Sequence, residues 1–157
     1  MQLSQKERTL LEDQKSHEEL CIKKYNNYAT QAQDPQLKQL FQTLAQKEQE
    51  HQNSINQMLS GQVPNMQQQG QQQQGQQQQQ FQQPNLGQTG MVNQQDGDLC
   101  QDMLSTEKYV SQAYDTAIFE FKDTNVRQVL NHIQKEEQQH GEDIFNYMQS
   151  KGLYKVH

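Results

Sequence analysis

Hydrophobic side chains are scarce in this 157-residue chain, at 31% of the total, and the mean hydropathy is −1.20. Spread evenly, so little apolar material would leave the chain unfolded. The deficit is local: a Gln-rich stretch from about residue 62 to 95 carries it, and both flanks have ordinary apolar content. No run approaches the roughly 20 apolar residues of a membrane span. Residues 1–8 contain no apolar core of an export signal, so synthesis in a reducing cytoplasm is expected. The two cysteines, Cys21 and Cys100, form no C-x-x-C pair. Basic residues do not cluster and the formal net charge is −6, which excludes a nucleic-acid footprint. Alternating β-branched patterns are also missing, so strands are not expected. The length suits one domain, or two small units packed together.

What the chain does have is one unit written twice. Glu48-Gln49-Glu50-His51 returns as Glu137-Gln138-Gln139-His140, 89 positions later. The same offset carries Asp13 to Asp102, Glu18 to Glu107, Tyr25 to Tyr114, Asp34 to Asp123 and Ile55 to Ile144. Apolar exchanges follow it, Leu37 to Val126 and Leu44 to Ile133. An ungapped match over about fifty residues marks an internal repeat.

Four segments read as helices. The first spans about 4–31 and stops before Asp34-Pro35, because the residue ahead of proline is pushed out of the helical region. Asp34 caps the second and Pro35 begins it; Gly61 ends it. Asp98 is expected to open the third, reaching about Phe121, and Asp123-Thr124 to cap the fourth, from about Asn125 to Ser150. Each carries a stripe stepping by three and four. Helix two offers Leu37, Phe41, Leu44, Glu48, His51, Ile55 and Met58; helix four offers Val126, Leu130, Ile133, Glu137, His140, Ile144 and Tyr147. Helix one offers Leu11, Gln14, Glu18, Cys21, Tyr25, Tyr28 and Ala32, and helix three Cys100, Met103, Glu107, Val110, Tyr114, Ala117 and Phe121. Such stripes fill a helix bundle.

Glutamate interrupts every stripe at the same height, and in two of them a histidine follows one turn later. An ion moved from water into a protein interior costs several kcal/mol. Six ionisable groups in one layer would exceed the ~5–15 kcal/mol net stability of a domain. Divalent cations resolve this by neutralising the carboxylates. Glu18, Glu48, His51, Glu107, Glu137 and His140 are therefore the expected metal ligands, a dinuclear set of four carboxylates and two imidazoles. Such donors suit iron or manganese, with zinc also compatible. Glu18 and Glu107 would each cap one ion, Glu48 and Glu137 bridge, and His51 and His140 complete the shells. A lone Glu-x-x-His is more often solvated than ligating; its repetition in the seam, with the isolated Glu repeated too, overrides that prior. An inherited polar layer holding protons or water is the alternative.

Other chemistry-bearing residues receive plainer readings. Tyr25 and Tyr114 read as core phenols with bonded hydroxyls, although they sit where a metal pair could oxidise them. Cys21 and Cys100 read as buried small hydrophobes, and His17, His132 and His157 as exposed. No other catalytic motif is present.

The division that follows is residues 1–61 as a first hairpin, 62–97 as a Gln-rich flexible linker and 98–157 as a second hairpin. Two-fold-related hairpins require the chain to return along the bundle between them. A helix of about 26 residues is ~39 Å long, and a flexible coil of about 34 residues spans roughly 30–35 Å. The linker can thus make the long crossover of a ferritin-like, all-α four-helix bundle. It is equally long enough for hairpins to pair between chains, and Gln tracts also self-associate.

The stretch from Asp102 to Val156, with DMLSTEKYVSQAYDTAIFEF, VRQVLNHIQKEEQQHGEDIFNYM and GLYKV, resembles the coat F domain of bacterial spore coat proteins. LLEDQKSHEELCIKKYNNYATQAQDPQLKQLFQTLAQKEQEH resembles the N-terminal region of longer members. The spacings EK-x5-Y and EE-x2-H-x3-IF-x2-M carry the match. The resemblance implies a ferritin-like fold, synthesis in the mother-cell cytoplasm, deposition in the endospore coat, and other coat proteins or further copies as partners. Abundant Gln beside Lys23 and Lys24 adds the expectation of a transglutaminase substrate. A di-iron or di-manganese oxidase, or a peroxide-detoxifying protein, is the alternative function.

Overall fold

A computed structural model describes residues 1–66 and 93–154. Four helices form there: α1 (Gln5–Gln31), α2 (Pro35–Leu59), α3 (Gln94–Glu120) and α4 (Thr124–Ser150). Among the described residues there is no strand. Most of the expected linker, residues 67–92, lies outside them, as does His157.

Each start has a side-chain acceptor for the backbone N–H groups left free in a first helical turn. Ser4 accepts from the Glu7 N–H, and the Glu7 carboxylate accepts from the Ser4 N–H, a reciprocal capping box. Asp34 accepts from the Gln36 N–H, with Pro35 in the first turn. Asp123 accepts from the N–H groups of Asn125 and Val126. Gly61 and Gly152 close α2 and α4 at φ of 90° and 68°, where an L side chain would be strained.

The start of α3 corrects the expectation at Asp98. Asn93 is the cap, accepting from the Asp96 N–H at 3.1 Å, so the helix begins about one turn earlier, at Gln94. Asp98 instead accepts from the Gln94 side chain on the helix surface. Gly97 lies buried within that first turn, and a Cβ there would meet the Leu153 side chain at 3.2 Å.

Cross-helix contacts fix the directions. Gln52 donates to Glu19 and Arg8 to the Leu59 carbonyl, so α1 and α2 are antiparallel. Tyr25 pairs with Glu107 and Tyr114 with Glu18, so α1 and α3 are antiparallel. His51 faces Glu137 and His140 faces Glu48, so α2 and α4 are antiparallel. Hence α1 and α4 point one way, α2 and α3 the other. One apolar core runs between them. Every residue of the four predicted stripes is buried except Tyr28, which is partly so. No helix is long and apolar enough to cross a membrane among the described residues.

Candidate metal centre

The period of the stripes turns all six predicted ligands inward at one level, and all six are buried. They form two groups of four. Glu18, Glu48, His51 and Glu137 make one; Glu48, Glu107, Glu137 and His140 make the other. Within each group the donor atoms lie within 4.8 Å of one another. Glu48 and Glu137 belong to both, whereas Glu18 and Glu107, on α1 and α3, belong to one each.

Both imidazoles present Nδ1 to the centre. His51 Nδ1 lies 3.0 Å from Glu137, 3.2 Å from Glu48 and 3.7 Å from Glu18. His140 Nδ1 lies 2.8 Å from Glu48, 3.5 Å from Glu107 and 3.6 Å from Glu137. The rings stack with centroids 5.6 Å apart. Two tyrosines complete the layer crosswise: the Tyr25 hydroxyl of α1 donates to Glu107 on α3, and the Tyr114 hydroxyl of α3 to Glu18 on α1.

Electrostatics show how the layer balances without metal. Burial opposes ionisation of Glu18, but the nearby protonated Glu48 carboxyl and the charge of His51 outweigh it, and its pKa falls to about 2. Burial likewise opposes ionisation of Glu107, yet Glu137 and His140 bring it down to about 2. Burial, then the charges of Glu18 and Glu107, push Glu48 up to about 8. Glu137 is held well above the usual carboxylate range by burial and the Glu48, Glu18 and Glu107 charges. Burial disfavours imidazolium, but Glu18 and Glu136 raise His51 well above its ordinary value, and Glu48 and Glu107 do the same for His140. Two carboxylates held low thus face two raised imidazoles and two raised carboxyls.

That balance leaves polar atoms stranded. Glu18 Oε2, Glu107 Oε2 and Glu137 Oε2 are buried without a hydrogen-bond partner. Orphaned buried oxygens of this kind are uncommon and costly. Hard oxygen donors, one inward imidazole nitrogen per group and two shared carboxylates fit a pair of divalent cations.

The neighbouring residues have plainer surroundings. Burial pushes the Tyr25 and Tyr114 phenols well up, with the Glu107 and Glu18 charges adding to it. Burial and the carboxylate charges also push up the Cys21 thiol, and burial, Asp96 and Asp34 raise Cys100 to about 12. Both are free, buried thiols, poor nucleophiles in that state. His17 and His132 are half-buried rather than exposed as expected, because Tyr109 meets the His17 ring edge-on and Glu136 pairs with His132. Glu136 is polar and off the stripe, and is recognisable as part of the layer only once His51 Nε2 is placed 3.7 Å from it.

A family model described as the Coat F domain matches residues 6–62 and 95–157, which takes in both hairpins. No curated protein matches the chain. No solved structure matches it either.

Proposed function

The chain belongs to the Coat F domain family and is a spore coat protein, and on that premise we propose a structural coat component whose ferritin-like bundle keeps a dinuclear metal centre. The observation that carries the metal half is the convergence of Glu18, Glu48, His51, Glu107, Glu137 and His140 into two ligand groups sharing Glu48 and Glu137. A Glu from each of two helices and a Glu-x-x-His from each of the other two is the ligand plan of ferritin-like dimetal bundles. The helix directions support the same reading, with the stretch between α2 and α3 as the crossover that joins the two hairpins. Other coat proteins and further copies of the chain are its partners, and the mother-cell cytoplasm its place of synthesis.

In this reading Glu18, Glu48, His51 and Glu137 would hold one ion, and Glu48, Glu107, Glu137 and His140 the other. Tyr25 and Tyr114 keep the terminal carboxylates oriented. Iron or manganese bound there would supply one-electron chemistry toward oxygen or peroxide. A second reading, an oxidase or peroxide-detoxifying protein, draws on the two phenols bonded directly to Glu107 and Glu18.

Elemental analysis of the chain purified with ferrous iron or manganese tests the proposal. About two equivalents per chain are expected for four carboxylates and two imidazoles, with loss in Glu48→Ala or Glu137→Ala. Near-zero metal on a chain with intact helical circular dichroism would leave only the structural role. Peroxide consumption by the loaded chain, absent in Glu137→Ala, would favour the second reading.

A further inference from the structure

The repeat makes the two halves of the centre alike in their ligands but not in what stands behind them. His51 Nε2, on the far side of the ring from the centre, is buried and lacks a hydrogen-bond partner. Glu136 Oε1 lies 3.7 Å from it. That oxygen is held by His132, one turn earlier on α4, whose Nε2 pairs with it. The offset that relates the halves places Thr43 and Lys47 where His132 and Glu136 stand. Lys47 turns to the surface, 3.2 Å from Glu50. The ion pairs of His140 all run through Nδ1, toward Glu48, Glu107 and Glu137.

A carboxylate behind a ligating imidazole holds the proton on the outer nitrogen, leaves the inner lone pair free, fixes the ring and makes it a better donor. At 3.7 Å the contact is longer than a hydrogen bond, and a shift of about half an ångström closes it. We propose that Glu136, anchored by His132, is a positioning residue for His51, so that the Glu18–His51 half holds a divalent cation more tightly than the Glu107–His140 half. The inference rests on the dinuclear reading above and deepens it.

Titration of the metal-stripped full chain with cobalt(II), followed by calorimetry and visible absorption, tests it. The unaltered chain takes up two equivalents in separate steps, about 10- to 100-fold apart in affinity. Glu136→Ala weakens the tighter step by about that factor and leaves the other unchanged. Glu136→Gln, which still offers an acceptor, falls between. Thr43→His with Lys47→Glu installs the same couple behind His140 and draws the weaker step toward the stronger. Should Glu136→Ala not fold, the Thr43/Lys47 variant decides alone. Two equal steps untouched by Glu136→Ala, or both weakened equally, overturn the inference while leaving the dinuclear centre standing. No uptake by the unaltered chain defeats the dinuclear reading itself, and this inference with it.

Discussion

Glu7 and Asp96 each reach across the molecule to hold the loop of the opposite hairpin. Glu7, at the start of α1, accepts from the Lys122 N–H between α3 and α4 at 3.1 Å. Asp96, at the start of α3, accepts from the Gln33 and Asp34 N–H groups between α1 and α2 at 2.8 and 3.0 Å. The two residues are related by the same 89-position offset as the ligands. The clasps tie each helix start to the far hairpin and so fix the height at which Glu18 and Glu107 enter the centre.

Asp96→Ala leaves two loop N–H groups without their partner, and Glu7→Ala removes both a loop acceptor and half of a capping box. Each is expected to cost about 1–3 kcal/mol. Urea unfolding followed by circular dichroism measures this. A cost below about 0.5 kcal/mol for both, the range of ordinary surface substitutions, would show that the clasps do not hold the hairpins together.

Much of this was legible because helical period and internal repeat point the same way. The stripes placed Leu130, Ile133, Glu137 and His140 on one buried face of α4, and the structure keeps them there. The start of α3 is less legible, although the offset that maps Glu18 onto Glu107 also maps Ser4 onto Asn93 and Glu7 onto Asp96. Asn93 lies beside Gln-rich sequence, and Gly97 in the first turn argues against a helix on propensity alone. Packing of Leu153 against Gly97 overrides that propensity. Gly141, next to His140, has a role that sequence alone leaves open; an added Cβ there would touch only the Leu104 side chain, at 3.7 Å. Burial of His17 and His132 depends on neighbours from another helix and on a side-chain pair, which no single-helix period reveals.

The crossed phenols supply a second prediction. Tyr25→Phe leaves an oxygen of Glu107 without its donor, and Tyr114→Phe does the same to Glu18. An acceptor stranded in the core costs about 1–3 kcal/mol, so both variants lose stability in that range. The repeat predicts losses of similar size. A large loss for one and none for the other would show that the layer is not organised as two equivalent halves.

In the metal-free chain acid acts on carboxylates held low, Glu18 and Glu107 of the layer among them, and alkali on the raised groups. The Ser4 backbone, against burial and helped by Lys122, holds Glu7 below its usual range. Burial opposes ionisation of Asp34, but Tyr147, the Gln36 N–H and Lys151 lower it; Asp102 is lowered against burial by Tyr28 and Lys24. Groups of this sign contribute stability above their unfolded pKa, about 4, and lose it as pH falls through the lower folded values. Glu48, raised to about 8, has the opposite sign: folding favours its protonated form, so stability falls as pH climbs from the ordinary value of 4.5 toward 8. The raised His51 and His140 contribute below their unfolded pKa and lose that contribution as pH rises through their folded values. Metal-stripped protein is therefore expected to melt highest in mild acid and progressively lower toward pH about 9. A melting temperature that rises steadily across that span would contradict the assignment.

Metal loading should reverse the alkaline weakness by replacing protons with cations. Glu48, Glu137, His51 and His140 are all raised, and so favour protonated forms that ligation cannot tolerate. Carboxylates and neutral imidazoles are the ligating forms, so loading the pair expels protons. Between pH about 6 and about 9 affinity rises with pH, and the number released falls as Glu48 loses its proton to bulk water on passing about 8. Calorimetric titration with manganese(II) in buffers of different ionisation enthalpy counts those protons directly. Release near zero, with affinity independent of pH, would mean that the ions bind at exposed carboxylates and that the buried layer keeps its protons.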